Sequence, residues 1–325
     1  MNGSFARAAA CLAAFTTLAL GAAAGAQTYP AHPVRIIVPF PPGGGVDTVT
    51  RLLVHKLTEQ MGGSFVVDNR PGAAATIGAA FVARAEPDGY TLLTSAPEFS
   101  INPSVRSKLP YDPFQDFTYI SQLTSGQYML VSHPSVPVKT VKDVIALAKA
   151  RPGQLNYGSS GSGGILHLSG QLFQLMTGIR WVHVPFKGTG PARQALMGGE
   201  IEFVFAGTIT LVGPVRAGQV RPVAVTGPKR FAELPDVPTI SESGVPGYNV
   251  TGWYGFYAPA GTPADIVRRL HAETKRALIS PDVKEKLAKT GNEPVASSPE
   301  EFAAFVRAEI GKWAKVVKAT KLRID

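Results

Sequence analysis

Two glycine-rich stretches carry the residue types with the clearest chemistry. The first, FPPGGGVDT from Phe40 to Thr48, follows the apolar run VRIIV and opens a helical pattern. The second, YGSSGSGG from Tyr157 to Gly164, repeats that setting and adds three hydroxyl donors, Ser159, Ser160 and Ser162. A helix N-terminus offers free N–H groups and the positive end of the helix dipole, which together favour an anion. Glycine lets backbone approach a ligand closely, and proline pre-sets the loop. The candidate anion-binding groups are therefore Phe40, Pro42, Gly43, Gly44, Gly45 and Asp47 in the first stretch, and Ser159, Ser160, Ser162 and Gly163 in the second. For the first loop a tight strand-to-helix turn without a ligand is the plain alternative. Three further loops follow expected strands and add Ser95, the run Lys187-Gly188-Thr189, and Ala206 with Thr208.

Other chemistries fail on detail. A phosphate-binding Walker loop needs a lysine that the first stretch lacks, and a dinucleotide fingerprint needs glycine where Thr48 stands. Ser160 lies in a near match to the hydrolase elbow G-x-S-x-G, but Ser162 occupies the place of the second glycine. Histidines 32, 55, 133, 167, 183 and 271 show no H-x-x-x-H spacing, and His167 is expected to pack or cap. No catalytic residue, metal or cofactor is expected. The net charge is +9, but the basic residues are scattered except in the C-terminal helix, which disfavours nucleic acid and favours small anions through weak steering.

The elements that must position these loops alternate. Strands are expected at 34–38, 65–67 and 90–93. Between them lie a helix spaced by Val46, Val49, Leu53 and Leu57, and another over 76–85. This βαβαβ order implies parallel strands with right-handed crossovers. A second unit begins near Tyr128, with strands at 128–131, 155–157, 181–184, 203–205 and 222–225. Helices are expected from the capping box at 140–143 to about 150, and over 165–176, 192–197 and 211–217. The aromatic run WYGFYAPAGTP and helices near 266–278, 282–289 and 300–318 close the chain. Two sequential domains, or a tail returning to the first domain with two hinge crossings, both suit this order.

Residues 1–26 carry Arg7, an apolar Ala/Leu/Phe run and an A-x-A site ending at Ala26, the pattern of a cleaved secretory signal. Cys11 is the sole cysteine and leaves with that segment, and Arg7 leaves too, so the exported chain carries +8 from 31 basic and 23 acidic residues.

The stretches YPAHPVRIIVPFPPGGGVDT, VVDNRPGAAATIGA, PDGYTLL, INPSV, LPYDPFQDF, LNYGSSGSGG, HLSGQLF, VPFKGTGPA, LPDVPTISESGVPGY and WYGFYAPAGTP run in order through nearly the whole exported chain. In this combination the sequence resembles the periplasmic solute-binding proteins of tripartite tricarboxylate transporters, the Bug family. The resemblance implies an α/β, two-domain periplasmic binding protein of the type II clamshell kind, each domain a mainly parallel sheet flanked by helices. The first domain would be 27–126 plus 254–325 and the second 127–253, with hinge crossings near 124–129 and 250–256. It implies a small carboxylate, a di- or tricarboxylate or related acid, held at Phe40–Asp47 and met by Ser159–Gly163, Lys187–Thr189 and Ala206–Thr208. It also implies delivery to membrane permease subunits, or for an orphan member to an unknown partner such as a sensor, by a monomer. An exported enzyme acting on a small acid is the remaining alternative. Two departures stand out. Ala206 occupies a position that is acidic in many members, which weakens an amino-acid assignment. Glu98 is expected on the rim; within the cleft it would repel a second carboxylate or pair with a cation.

Overall fold

The computed structural model describes residues 29–324; the expected signal segment 1–26, with Cys11, lies outside the described residues. Strand β1 (Val34–Val38) is an apolar run with only Arg35 turned outward. Helix α1 (Gly45–Met61) follows and buries Val46, Val49, Leu53 and Leu57, the helical spacing read from the sequence. Then come β2 (Phe65–Asn69), α2 (Thr76–Ala83) and β3 (Thr91–Ser95). β1 pairs in parallel with both β2 and β3, as the βαβαβ order requires.

A short helix, α3 (Glu98–Val105), leads to β4 (Phe117–Ser132), a strand of 16 residues. The strand expected at 128–131 is only its end. The polar middle, TSGQ at 124–127, breaks the apolar pattern yet still pairs with neighbouring strands. Helix α3 was not expected, because Pro103 lies within it and its apolar stripe is weak. The second unit contains α4 (Val141–Ala150), β5 (Asn156–Ser159), α5 (Ile165–Thr177), β6 (Val182–Pro185), α6 (Thr189–Met197), β7 (Phe203–Gly207), α7 (Thr208–Arg216) and β8 (Arg221–Val225). The chain ends with β9 (Thr251–Pro259), α8 (Ala264–Ile279), α9 (Pro281–Ala288), β10 (Asn292–Pro294) and α10 (Pro299–Thr320).

The strand order is β2-β1-β3-β9-β4-β7-β5-β6, with β8 and β10 also on β4. The parallel groups β2-β1-β3 and β7-β5-β6 are joined by antiparallel β9 and β4. β4 belongs to both halves: residues 117–127 pair with β9, and 128–132 with β7 and β8. Thr226 ties this crossing to the return crossing. Its N–H donates to the Tyr128 carbonyl at 2.9 Å, its hydroxyl donates to the Val250 carbonyl at 2.6 Å, and the Val250 N–H donates back to the Thr226 carbonyl.

Helix α10 binds the halves from one side. A capping box starts it, with the Ser298 hydroxyl accepting from the Glu301 N–H and the Glu301 carboxylate accepting from the Ser298 N–H. Phe302 and Val306 pack among Phe117, Trp253 and Tyr257 of the first half. Two turns on, Trp313, Val316 and Val317 pack with Leu130, Tyr157 and Phe173 of the second. The Trp313 indole N–H donates to Glu309 at 3.0 Å.

In the second half, His167 on α5 and His183 on β6 stack at 3.6 Å between ring centroids. Burial pulls both pKa values down, to about 3 for His167, with His183 adding to the effect, and to about 4 for His183. Both rings are neutral near pH 7.

Two outcomes are expected. Trp313→Ala removes a fully buried ring and should lower stability by about 3–5 kcal/mol, read from the denaturant midpoint. The unfolded chain takes up histidine protons below about pH 6.5 while the folded chain does not, so stability falls as pH drops through that value. His167→Gln should make the loss between about pH 6.5 and 5 smaller by about 1–2 kcal/mol, measured as the change in midpoint at the two pH values.

Candidate functional site

The two glycine-rich loops adopt the same backbone. Gly43 is left-handed at φ 82° and Gly163 at φ 75°. The next residue is extended and forms the N-cap: Gly44 at φ −75°, ψ 171° for α1, and Gly164 at φ −79°, ψ 171° for α5. Each left-handed glycine donates its N–H to a side chain four residues on, Gly43 to the Asp47 carboxylate at 2.9 Å and Gly163 to His167 Nδ1 at 3.0 Å. Neither helix has a side-chain cap, so the N–H groups of its first turn remain open to an anion.

Side chains brace the loops from behind. Asp47 accepts from Arg51 Nε at 2.9 Å and from Asn69 Nδ2 at 2.9 Å, and Asn69 also donates to the Phe40 carbonyl. Burial opposes its charge, but the hydrogen bonds from Arg51, the Gly43 N–H and Asn69 hold the Asp47 carboxyl below the usual range. In the second loop the Ser159 hydroxyl donates to the Gly161 carbonyl at 2.8 Å and meets His183 Nε2 at 2.6 Å. Ser159 is fully buried and occupied in folding its own loop, so this serine–histidine contact is a brace and presents no nucleophile.

A cavity of about 470 Å³ lies in front of the first loop, lined by Phe40–Val46, Ala96, Pro97, Glu98, Tyr128, Tyr254 and, from α5, Ile165. The Tyr254 hydroxyl presses against Gly45 so closely that no Cβ could be added there. Burial pushes the Tyr254 phenol up to about 12 and that of Tyr128 well above its usual value, so both remain hydroxyls able to donate. Glu98, at the start of α3, reaches across to α5: a Cβ on Gly164 would lie 3.8 Å from its Oε1. Burial raises the Glu98 pKa, against one hydrogen bond from its own N–H.

The structure brings Phe40, Pro42, Gly43, Gly44 and Gly45 together on this cavity. The other expected residues do not line it. Asp47 lies beneath the loop, and Ser95 is buried where β3 pairs with β9 opposite Gly255. Ser160 and Ser162 point outward to solvent, Gly163 is covered by Ile324, and Lys187 is exposed beside Gly188 and Thr189 at the start of α6. Strand alternation sends Phe205 to one apolar core and Ala206 to the other, so Ala206 has no ligand role through its side chain. The Thr208 hydroxyl donates to the Gln127 carbonyl and borders a separate cavity of about 90 Å³ on the far side of Tyr128 and Tyr254. Glu98, expected on the rim, lines the cavity instead. Sequence reasoning also missed Tyr128, Tyr254 and Ile165; only the aromatic run at 253–257 carried any signal of them.

Among the described residues no helix is long and apolar enough to cross a membrane, and no group of three metal-ligating side chains forms. Comparison with known proteins places this geometry. Residues 49–322 match the family model described as tripartite tricarboxylate transporter family receptor. Protein BugT of Bordetella pertussis is 34% identical over 310 residues, 95% of each chain. An R. palustris structure with adipate is 38% identical with a TM-score of 0.80, covering 91% of this chain and 99% of that one. MatC from Rhodopseudomonas palustris with bound malate is 33% identical with a TM-score of 0.74, covering 89% and 100%. With a fold in two α/β halves and a cleft edged by paired helix termini, the chain belongs to the tripartite tricarboxylate transporter receptor family, the periplasmic solute-binding proteins that include the Bug proteins.

Proposed function

We propose that this protein captures a small carboxylate in the cavity between α1 and α5 and delivers it to the membrane permease of a tripartite transporter. The observation that carries the reading is the pair of helices whose glycine N-caps leave their first-turn N–H groups uncapped, at loops of one conformation on either side of one cleft. Such ends attract carboxylate by hydrogen bonds and by the helix dipole together. The similar proteins solved with adipate and malate support the same ligand class. The contact set we propose is Phe40, Pro42, Gly43, Gly44 and Gly45 from the first loop, the Gly164–Ile165 end of α5, and the hydroxyls of Tyr128 and Tyr254. The reading is binding without chemistry: the serine–histidine contact of the second loop, Ser159 with His183, is used in folding that loop. The halves 27–126 plus 254–325 and 127–253 would close on the ligand by bending where the chain crosses between them, near 124–129 and 250–256. The segment 1–26 would direct export and be removed after Ala26, so that the protein works in the periplasm as a monomer.

A thermal-shift screen of organic acids tests this. A di- or tricarboxylate at about 100 times its Kd should stabilise ligand-stripped protein by about 2.7 kcal/mol. No shift with any carboxylate would contradict the reading. Gly45→Ala forces Tyr254 away from the loop and should weaken binding of the best acid by roughly tenfold at a strain of about 1–3 kcal/mol, measured by calorimetry. Unchanged affinity would show that the close approach of Tyr254 to the loop is not used.

A further inference from the structure

The cavity that receives the ligand contains one acidic side chain, Glu98. It projects from the start of α3 toward the N-terminus of α5, the place where a ligand carboxylate would be held. Among the described residues no lysine or arginine pairs with it; burial raises its pKa and its own N–H alone opposes this. The titratable groups on the elements around it are accounted for. From β4 and β9 come the Tyr128 and Tyr254 phenols, both neutral. Asp47 on α1 is paired with Arg51 behind the loop, and His167 on α5 accepts from the Gly163 N–H. Glu309 on α10 is paired with Lys312.

Two carboxylates enclosed in one cavity cannot both stay ionised at low cost, and the pKa of one is driven upward. The remaining groups of the cavity are donors: N–H groups at helix ends and two phenol hydroxyls. That surrounding suits an anion and not an ammonium group, so Glu98 and not the ligand must change charge. We propose that Glu98 enters the complex as the neutral acid, donating a hydrogen bond to the ligand carboxylate, so that wherever Glu98 is ionised in the free protein each carboxylate bound brings one proton from solvent onto it. This deepens the carboxylate reading above and rests on it. Glu98 is then the specificity-determining group of the cleft. It favours ligands whose carboxylate accepts its proton, and it makes capture stronger in acid than in alkali.

Isothermal titration with adipate and malate tests this between about pH 6.5 and 8.5, where the free acids are fully ionised. Buffers of different ionisation enthalpy report proton uptake directly on the unaltered protein. The expected result is uptake approaching one proton, and a Kd that weakens by up to about tenfold per pH unit above the pKa of Glu98 in the free protein. Glu98→Gln, which keeps a donor without a titrating proton, should bind with no proton uptake and no pH dependence, and at the alkaline end at least as tightly as the unaltered protein. Binding of the unaltered protein with no proton uptake and flat pH dependence would overturn the role of Glu98 while leaving the carboxylate site standing. A folded Glu98→Gln protein that loses both acids at every pH would overturn it equally. Absence of binding by either acid at any pH in the unaltered protein would overturn the carboxylate reading and this inference together.

Discussion

The rest of the structure depends on two helix ends, those of α1 and α5, that open at the cleft behind glycine loops of one conformation. Every helix begins with N–H groups that its own carbonyls cannot reach. Side chains meet that need at α4, through Thr140 with Asp143, and at α10, through Ser298 with Glu301, while among the described residues the other helices have no side-chain cap. At α1 and α5 glycine takes the N-cap position, a replacement that costs helix stability only a few tenths of a kcal/mol. What is gained is an open donor surface at the cleft. The side chains that could have capped, Asp47 and His167, instead bind the left-handed glycine behind the cap. A carboxylate and an imidazole do the same job at equivalent positions, so the requirement is for an acceptor and not for a charge.

The fold holds these ends in place with rigid parts. Each loop follows the carboxyl end of a strand within a parallel group, β1 or β5, where open α/β sheets bind their ligands. β4 runs through both halves and carries Tyr128 at the crossing, while β9 brings Tyr254 to the same spot. Thr226 fastens the two crossings to each other. Helix α10 packs its first turns in one core and its later turns in the other. In the proposed closure the halves would bend about β4 and the Val250–Thr251 junction, turning the α5 terminus toward or away from α1.

Much of this was legible in the sequence. Glycine marks both loops, with proline added in the first, because a left-handed residue beside a bare N-cap leaves few alternatives, and the periodic helices from α1 to α10 follow their apolar spacing. The cavity's side chains were not legible. Glu98, Tyr128 and Tyr254 come from three separate elements, and they meet only because β9 pairs with both β3, which leads into α3, and β4. Reading loops by composition also placed too much weight on polar residues. Ser160 and Ser162 look like donors but face solvent, Ser159 is spent within its loop, and Ala206 points into a core because its strand alternates. Backbone geometry and strand register decide these cases, and neither is written in residue type alone.

The central claim is that one carboxylate ligand engages both helix ends at once. Backbone amide resonances during titration with adipate report this directly. The account predicts that the amides of Gly44, Gly45 and Val46 and those of Gly164, Ile165 and Leu166 shift together, with one shared saturation curve. A titration that moves only the α1 set, or neither, would contradict it.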